Sequence, residues 1–137
     1  MRWRIFLVAL AAMACAAQAQ IVTQTSTVQG VTVAATAGNL GPRTTVWDFA
    51  VVLDSRNQEL PDNLVDNAVL LDDSGNMQRA LIWEGAPSEG RHRAGVLKFF
   101  APGGPRPQWV ELRIMRPGEA RPRVFSWFLP GRLVASR

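Results

Sequence analysis

The chain has no tyrosine and only one cysteine, one histidine and one lysine in 137 residues. A single cysteine excludes a disulfide-stapled miniprotein. With only one histidine beside it, a cysteine-rich zinc module is excluded as well. Beyond the N-terminus there is no apolar run near the roughly 20 residues that a permanent membrane helix needs. Charged residues make up 19% and hydrophobic residues 47%, so the chain is neither a disordered tail nor an acidic solvating segment. The length suits one domain. What remains is a globular chain with few parts for catalysis.

The N-terminus reads as an export signal. Arg2 and Arg4 precede thirteen unbroken apolar residues, and Ala17-Gln18-Ala19 supplies the small-x-small pattern of a cleavage site. The basic residues stay on the cytoplasmic side while the short apolar segment enters the membrane. This divides the chain into a signal peptide, residues 1–19, and one domain, residues 20–137. The expected location is the periplasm or the exterior. Cys15, after Ala12-Met13-Ala14, offers a second route, cleavage before the cysteine and a lipid anchor.

After Gln20 the dominant period is two, with no sustained helical stripe. Residues 21–27 read as a strand or an extended lead-in. Val31, Val33 and Ala35 alternate with Thr32, Ala34 and Thr36. Trp47, Phe49, Val51 and Leu53 alternate with Val46, Asp48, Ala50 and Val52. Residues 69–71 and 77–83 flank the polar turn Asp72-Asp73-Ser74-Gly75-Asn76 as a hairpin. Strands follow at residues 95–100, 109–115 and 124–129. In the second of these Val110, Leu112 and Ile114 take one face, and Trp109, Glu111 and Arg113 the other. Prolines and glycines fall mostly between strands, and helix is limited to a turn near residues 61–66. The expected fold is all-β, an antiparallel two-sheet, immunoglobulin-like sandwich of about seven strands. Trp47, Phe49 and Trp127 continue apolar faces and belong to its core.

Catalysis lacks a constellation. No serine sits in a Gly-x-Ser-x-Gly elbow, and Ser88 lies in a Pro-Ser-Glu-Gly turn. Asp54 and Asp62 are carboxylates that nothing in the sequence brings together. Asp72, Asp73 and Asn76 depart from the spacing of a calcium loop and read as a hairpin turn. His92 with Met77 or Met115 has the donor chemistry for copper, provided that they converge. No cofactor, metal-ligand set or catalytic residue is expected.

Charge is unevenly spread. Residues 20–90 carry a net −6 and residues 91–137 a net +8, leaving +2 without the signal. In one reading, strands of the two halves interleave and the charges neighbour each other across the sheets. In the other, Arg91, Arg93, Arg106, Arg113, Arg116, Arg121 and Arg123 form one positive face that attracts an anionic partner. Nucleic acid is a poor choice of anion, because aromatics are not interleaved with the basic residues. An acidic protein or an anionic envelope surface fits an exported chain better. Trp109, beside a proline-rich loop and on the face of Arg113, is a second contact candidate.

Three stretches carry a resemblance: residues 49–54 (FAVVLD), Trp83-Glu84-Gly85, and residues 90–99 (GRHRAGVLKF). Together they resemble a group of small exported bacterial β-sandwich proteins of unknown function, over most of the chain after the signal. The resemblance implies the fold and the export route, with no activity attached. Members often show paired histidines before the Gly-Val-Leu strand; here Arg91 takes the first position and His92 the second. The candidate binding residues are therefore Arg91, His92, Arg93, Trp109 and Arg113. The function they suggest is a non-catalytic envelope module that binds or assembles with a partner. The alternative is a small periplasmic carrier of copper or another ligand.

Overall fold

The structure, a computed structural model, describes residues 22–129. The signal peptide expected over residues 1–19, Cys15 and the start of the domain at Gln20 lie outside the described residues. The elements in chain order are β1 (Thr23–Val28), β2 (Val31–Ala37), β3 (Val46–Ser55), α1 (Leu64–Asn67) and β4 (Ala68–Asp72). They continue with β5 (Met77–Arg79), β6 (Ile82–Gly85), β7 (His92–Phe100), β8 (Trp109–Ile114) and β9 (Arg123–Phe128). Two antiparallel sheets result, one in the order β1-β2-β3-β7-β6 and the other β5-β4-β8-β9.

Setting β1 and β5 aside, strands β2, β3, β4, β6, β7, β8 and β9 match A to G of an immunoglobulin domain, with A-B-E-D facing C-F-G. The expected sandwich is therefore present, with two strands more than the seven anticipated. One is the lead-in, which forms a full strand paired along its length with β2 through a two-residue turn. Gln29 and Gly30 hold φ of 53° and 80° there, the left-handed pair that a tight hairpin turn requires. The other comes from residues 77–83, which do not run on as one strand. β5 stays beside β4, whereas the chain crosses at Ala80-Leu81 and β6 pairs with β7 in the opposite sheet. The crossing lets Trp83 pack against the core, with its indole N–H donating to the Ala86 carbonyl at 2.8 Å. The turn expected near residues 61–66 is the one-turn helix α1, capped by the Asn63 side chain.

Period-two alternation sends one face of each strand inward. Val31, Val33 and Ala35 of β2, Trp47, Phe49, Val51 and Leu53 of β3, and Val110, Leu112 and Ile114 of β8 are all buried. Phe49 links the sheets, meeting Phe99 edge-on at 5.7 Å and Trp127 at 5.2 Å between ring centroids. Each such side chain, fully buried, stabilises the fold by about 1.5–3 kcal/mol.

One flank of the sandwich is sealed by side chains. The Gln24 amide donates to the Ser126 carbonyl and accepts from the Ser126 N–H, occupying the edge of β9 as a strand would. On the same flank the Trp127 indole donates to the Val22 carbonyl at 2.9 Å.

Candidate functional site

Three of the arginines that one of the two charge readings puts on a single positive face are not on the surface. Arg93, Arg116 and Arg123 are 1%, 4% and 3% exposed. Arg116 grips the carboxylate of Asp62 with two bonds, Nε to Oδ2 at 2.7 Å and Nη2 to Oδ1 at 3.1 Å. Its Nη1 donates to Glu119 at 3.0 Å, and Glu119 in turn receives Nε and Nη2 of Arg123 at 2.8 and 2.7 Å. Arg123 ends the chain on the carbonyls of Ser26 and Val28. Arg93 approaches from β7, donates to the carbonyls of Leu60 and Asp62 and lies 5.6 Å over the Trp83 ring. The single arginine face is thus corrected to a buried chain of ion pairs. Its physical reason is that loops leaving four parts of the sequence meet at this end of the sandwich. Their carbonyls and carboxylates, withdrawn from water, require donors.

The electrostatics follow the contacts. Hydrogen bonding to Arg123, against the cost of burial and with help from Arg116, holds the Glu119 carboxyl below its ordinary pKa. Burial opposes the charge of Arg116, but Asp62 and then Glu119 more than offset it and raise its pKa. Burial outweighs the attraction of Asp62 at Arg93 and lowers its pKa. The loops so tied, residues 56–63, 86–91 and 115–122, include those equivalent to the recognition loops of an antibody variable domain. Here they are pinned from beneath.

The five residues singled out from the sequence fall in three places. Arg91 and His92 lie exposed on the five-stranded sheet, where His92 Nδ1 bonds Asp54 at 3.0 Å and Arg91 donates to the Arg56 carbonyl. Arg93, the next inward residue of β7, is buried, so it is not a surface contact. Trp109 and Arg113 lie on the outer face of the other sheet. No single surface joins them. The three copper donors are also dispersed: His92 is on the outer face of β7, while Met77 opens β5 and Met115 follows β8 in the opposite sheet. Among the described residues no group of three or more His, Cys, Asp or Glu comes together. Asp72 spends its carboxylate on the turn, accepting from the N–H groups of Ser74 and Asn76 at 2.9 and 3.0 Å. Asp54 and Asp62 are apart, one on the outer face with His92 and the other buried against Arg116.

The outer face of the four-stranded sheet gathers what the sequence left scattered. Strand register puts Arg79, Val69, Arg113 and Val124 in one row, and Met77, Leu71, Glu111 and Ser126 in the next. Trp109 pairs with Phe128 beyond them. Phe128 is 80% exposed, Met77 63% and Val124 48%. Arg113 bonds Glu111 through Nε at 2.7 Å and remains 44% exposed. Parity along β8 reveals Trp109 and Arg113, but Met77, Arg79, Val124 and Phe128 join them only through pairing. That pairing joins residues as far apart as Val69 and Arg113 and leaves no local mark.

No protein-family profile matches the chain, and no curated relative does. Among solved structures it is similar to a DUF4426 family protein from Pseudomonas aeruginosa, with a TM-score of 0.47 and 16% identity. That likeness covers 76% of this chain and 92% of the other. At such a distance no residue role passes between them. Among the described residues no helix is long and apolar enough to cross a membrane.

Proposed function

We propose that the chain is an exported, non-catalytic docking module of the cell envelope. It binds an acidic, amphipathic protein partner on the outer face of its four-stranded sheet. The observation that carries this is the company of exposed Met77, Val124 and Phe128 with Arg79, Arg113 and half-buried Trp109 on one face. Clustered apolar side chains left in water mark interaction surfaces, and Trp and Arg are the residues that most often anchor them. Two arginines against one glutamate give the face a positive balance, which steers an anionic partner and fades with salt. The export signal read in residues 1–19 supports an encounter outside the cytoplasm. The non-catalytic reading is supported by the lack of a nucleophile paired with the exposed His92–Asp54 couple among the hydrogen bonds of the described residues. The neighbouring hydroxyls of Thr32 and Thr27 bond each other.

Capture from envelope extract by the immobilised chain tests this. The expected result is a partner whose retention falls with salt and is lost with Arg113→Glu and with Phe128→Ser, but survives Arg91→Glu. Retention that is indifferent to Arg113→Glu would overturn the reading.

A further inference from the structure

The outer face of the five-stranded sheet has a different chemistry, and it carries an inference independent of the docking face. The seam between β3 and β7 presents five outward pairs in register: Asp54 with His92, Val52 with Ala94, Ala50 with Val96, Asp48 with Lys98, and Val46 with Phe100. The first four are complementary, acid beside base in two and large beside small in the middle two, and the fifth, at one end of the seam, is apolar on both strands. The order of large and small reverses between the two middle pairs. On β1 and β2 the surrounding side chains are short threonines and Ala34, and two of the threonine pairs, Thr23 with Thr36 and Thr27 with Thr32, bond each other. The charges are balanced on the face itself, since His92 bonds Asp54 and Lys98 bonds Glu84 at 3.1 Å.

We propose that this face binds a second copy of the chain across a two-fold axis running along the β3–β7 seam. Rotation about that axis lays β3 of one copy on β7 of the other without shifting the register. Asp54 then meets His92, Val52 meets Ala94, Val96 meets Ala50 and Lys98 meets Asp48, while at one end Phe100 packs on Val46. Lysine has three donors, so Lys98 reaches a second carboxylate while keeping Glu84. Two faces packed this way are aligned within about 30°, as sheets in a sandwich are, and residues nearest the axis stay matched. An isologous contact requires such self-complementarity. An axis through β3 itself would set Asp54 on Asp54, and charge repulsion rejects it.

Size limits the strength. About this axis β2, β3, β7 and β6 overlap and β1 falls beyond the partner's edge; four strands about 4.8 Å apart and up to about 20 Å long offer roughly 400 Å² per copy. The total of about 800 Å² lies below the roughly 1,000 Å² of a stable specific interface, so the dimer is weak and concentration-dependent.

Sedimentation of the purified exported chain between about 10 µM and 1 mM tests this, with circular dichroism and thermal unfolding confirming that each variant folds. A monomer–dimer equilibrium is expected. Val52→Arg, on an outward position, leaves a folded monomer. Ala94→Val sets valine on valine on both sides of the axis and weakens the dimer about tenfold. Adding Val52→Ala to it restores large on small and recovers most of that loss. A chain that stays monomeric throughout overturns the proposal, and so does a dimer indifferent to Val52→Arg. A dimer lost instead with Phe128→Ser also overturns it and assigns self-association to the docking face. Failure here leaves the capture experiment on Arg113 unaffected.

Discussion

Arg116 and Arg113 lie three residues apart and do opposite work. Arg113 projects from β8 into solvent beside Glu111, whereas Arg116, just past the end of the strand, turns beneath the loops and meets Asp62 and Glu119. The difference lies in what surrounds each guanidinium. On the outer face water and one carboxylate compete for it, and an exposed pair of this kind contributes about 0–1 kcal/mol. Under the loops no water competes, and removing Arg116 leaves Asp62 without its partner while Glu119 keeps Arg123. The same residue type thus ties loops together at one site and remains available to a partner at the other.

Breaking the buried chain is expected to have the largest effect. Arg116→Met leaves Asp62 buried without its partner and should cost about 3–5 kcal/mol in urea unfolding. Replacing Asp62 by leucine in the same chain should return much of this, because no unpaired buried charge remains. An Arg116→Met variant within 1 kcal/mol of the parent would show that the chain of pairs does not hold the loops.

Acid attacks the same region from another side. The Glu119 carboxyl titrates below its ordinary value when folded, so its contribution is complete above the unfolded pKa, near 4.5. It is lost as pH falls through the lower folded value. The urea midpoint should therefore hold steady from neutrality to about pH 5 and decline below about pH 4.5. Glu119→Gln should flatten part of that decline, and a slope unchanged by the substitution would remove Glu119 from the account.

A smaller effect is expected at the sealed flank. Gln24→Ala opens the Ser126 N–H and carbonyl on β9 and should cost about 1 kcal/mol. Exchange of the Ser126 amide hydrogen should accelerate in the same variant. The smallest effects belong to the outer face of the four-stranded sheet. Arg113→Ala, Val124→Ser and Phe128→Ser should each leave stability within about 0.5 kcal/mol, as surface changes do. A larger loss at any of these would mean that the face supports the fold itself, which would sharpen the contrast with the buried arginines by erasing half of it.

Much of the fold was legible because period-two alternation acts locally. Trp47 to Leu53 and Val110 to Ile114 face the core as parity predicts, and the Asp72 to Asn76 turn closes a hairpin. Residues 77–83 read as one strand because Ala80-Leu81 contains no breaker, yet the chain changes sheets there. Arg93 shows the limit most clearly. The strand read from the sequence starts at residue 95, which leaves Arg93 outside it as a surface contact; β7 in fact starts at His92, and its parity puts Arg93 on the inner face with Leu97 and Phe99. The carbonyls of Leu60 and Asp62 that accept from it are more than 30 residues away, so nothing beside it in the sequence announces them.

Alternation of apolar and polar residues, with prolines and glycines between the runs, determined an all-β chain and the inward face of its strands. Each of those properties depends on neighbours one or two residues apart. Only the tertiary structure decided which arginines are withdrawn from water and which side chains share an outer face. Those outcomes depend on which strands become neighbours, and strand pairing joins residues that are distant along the chain.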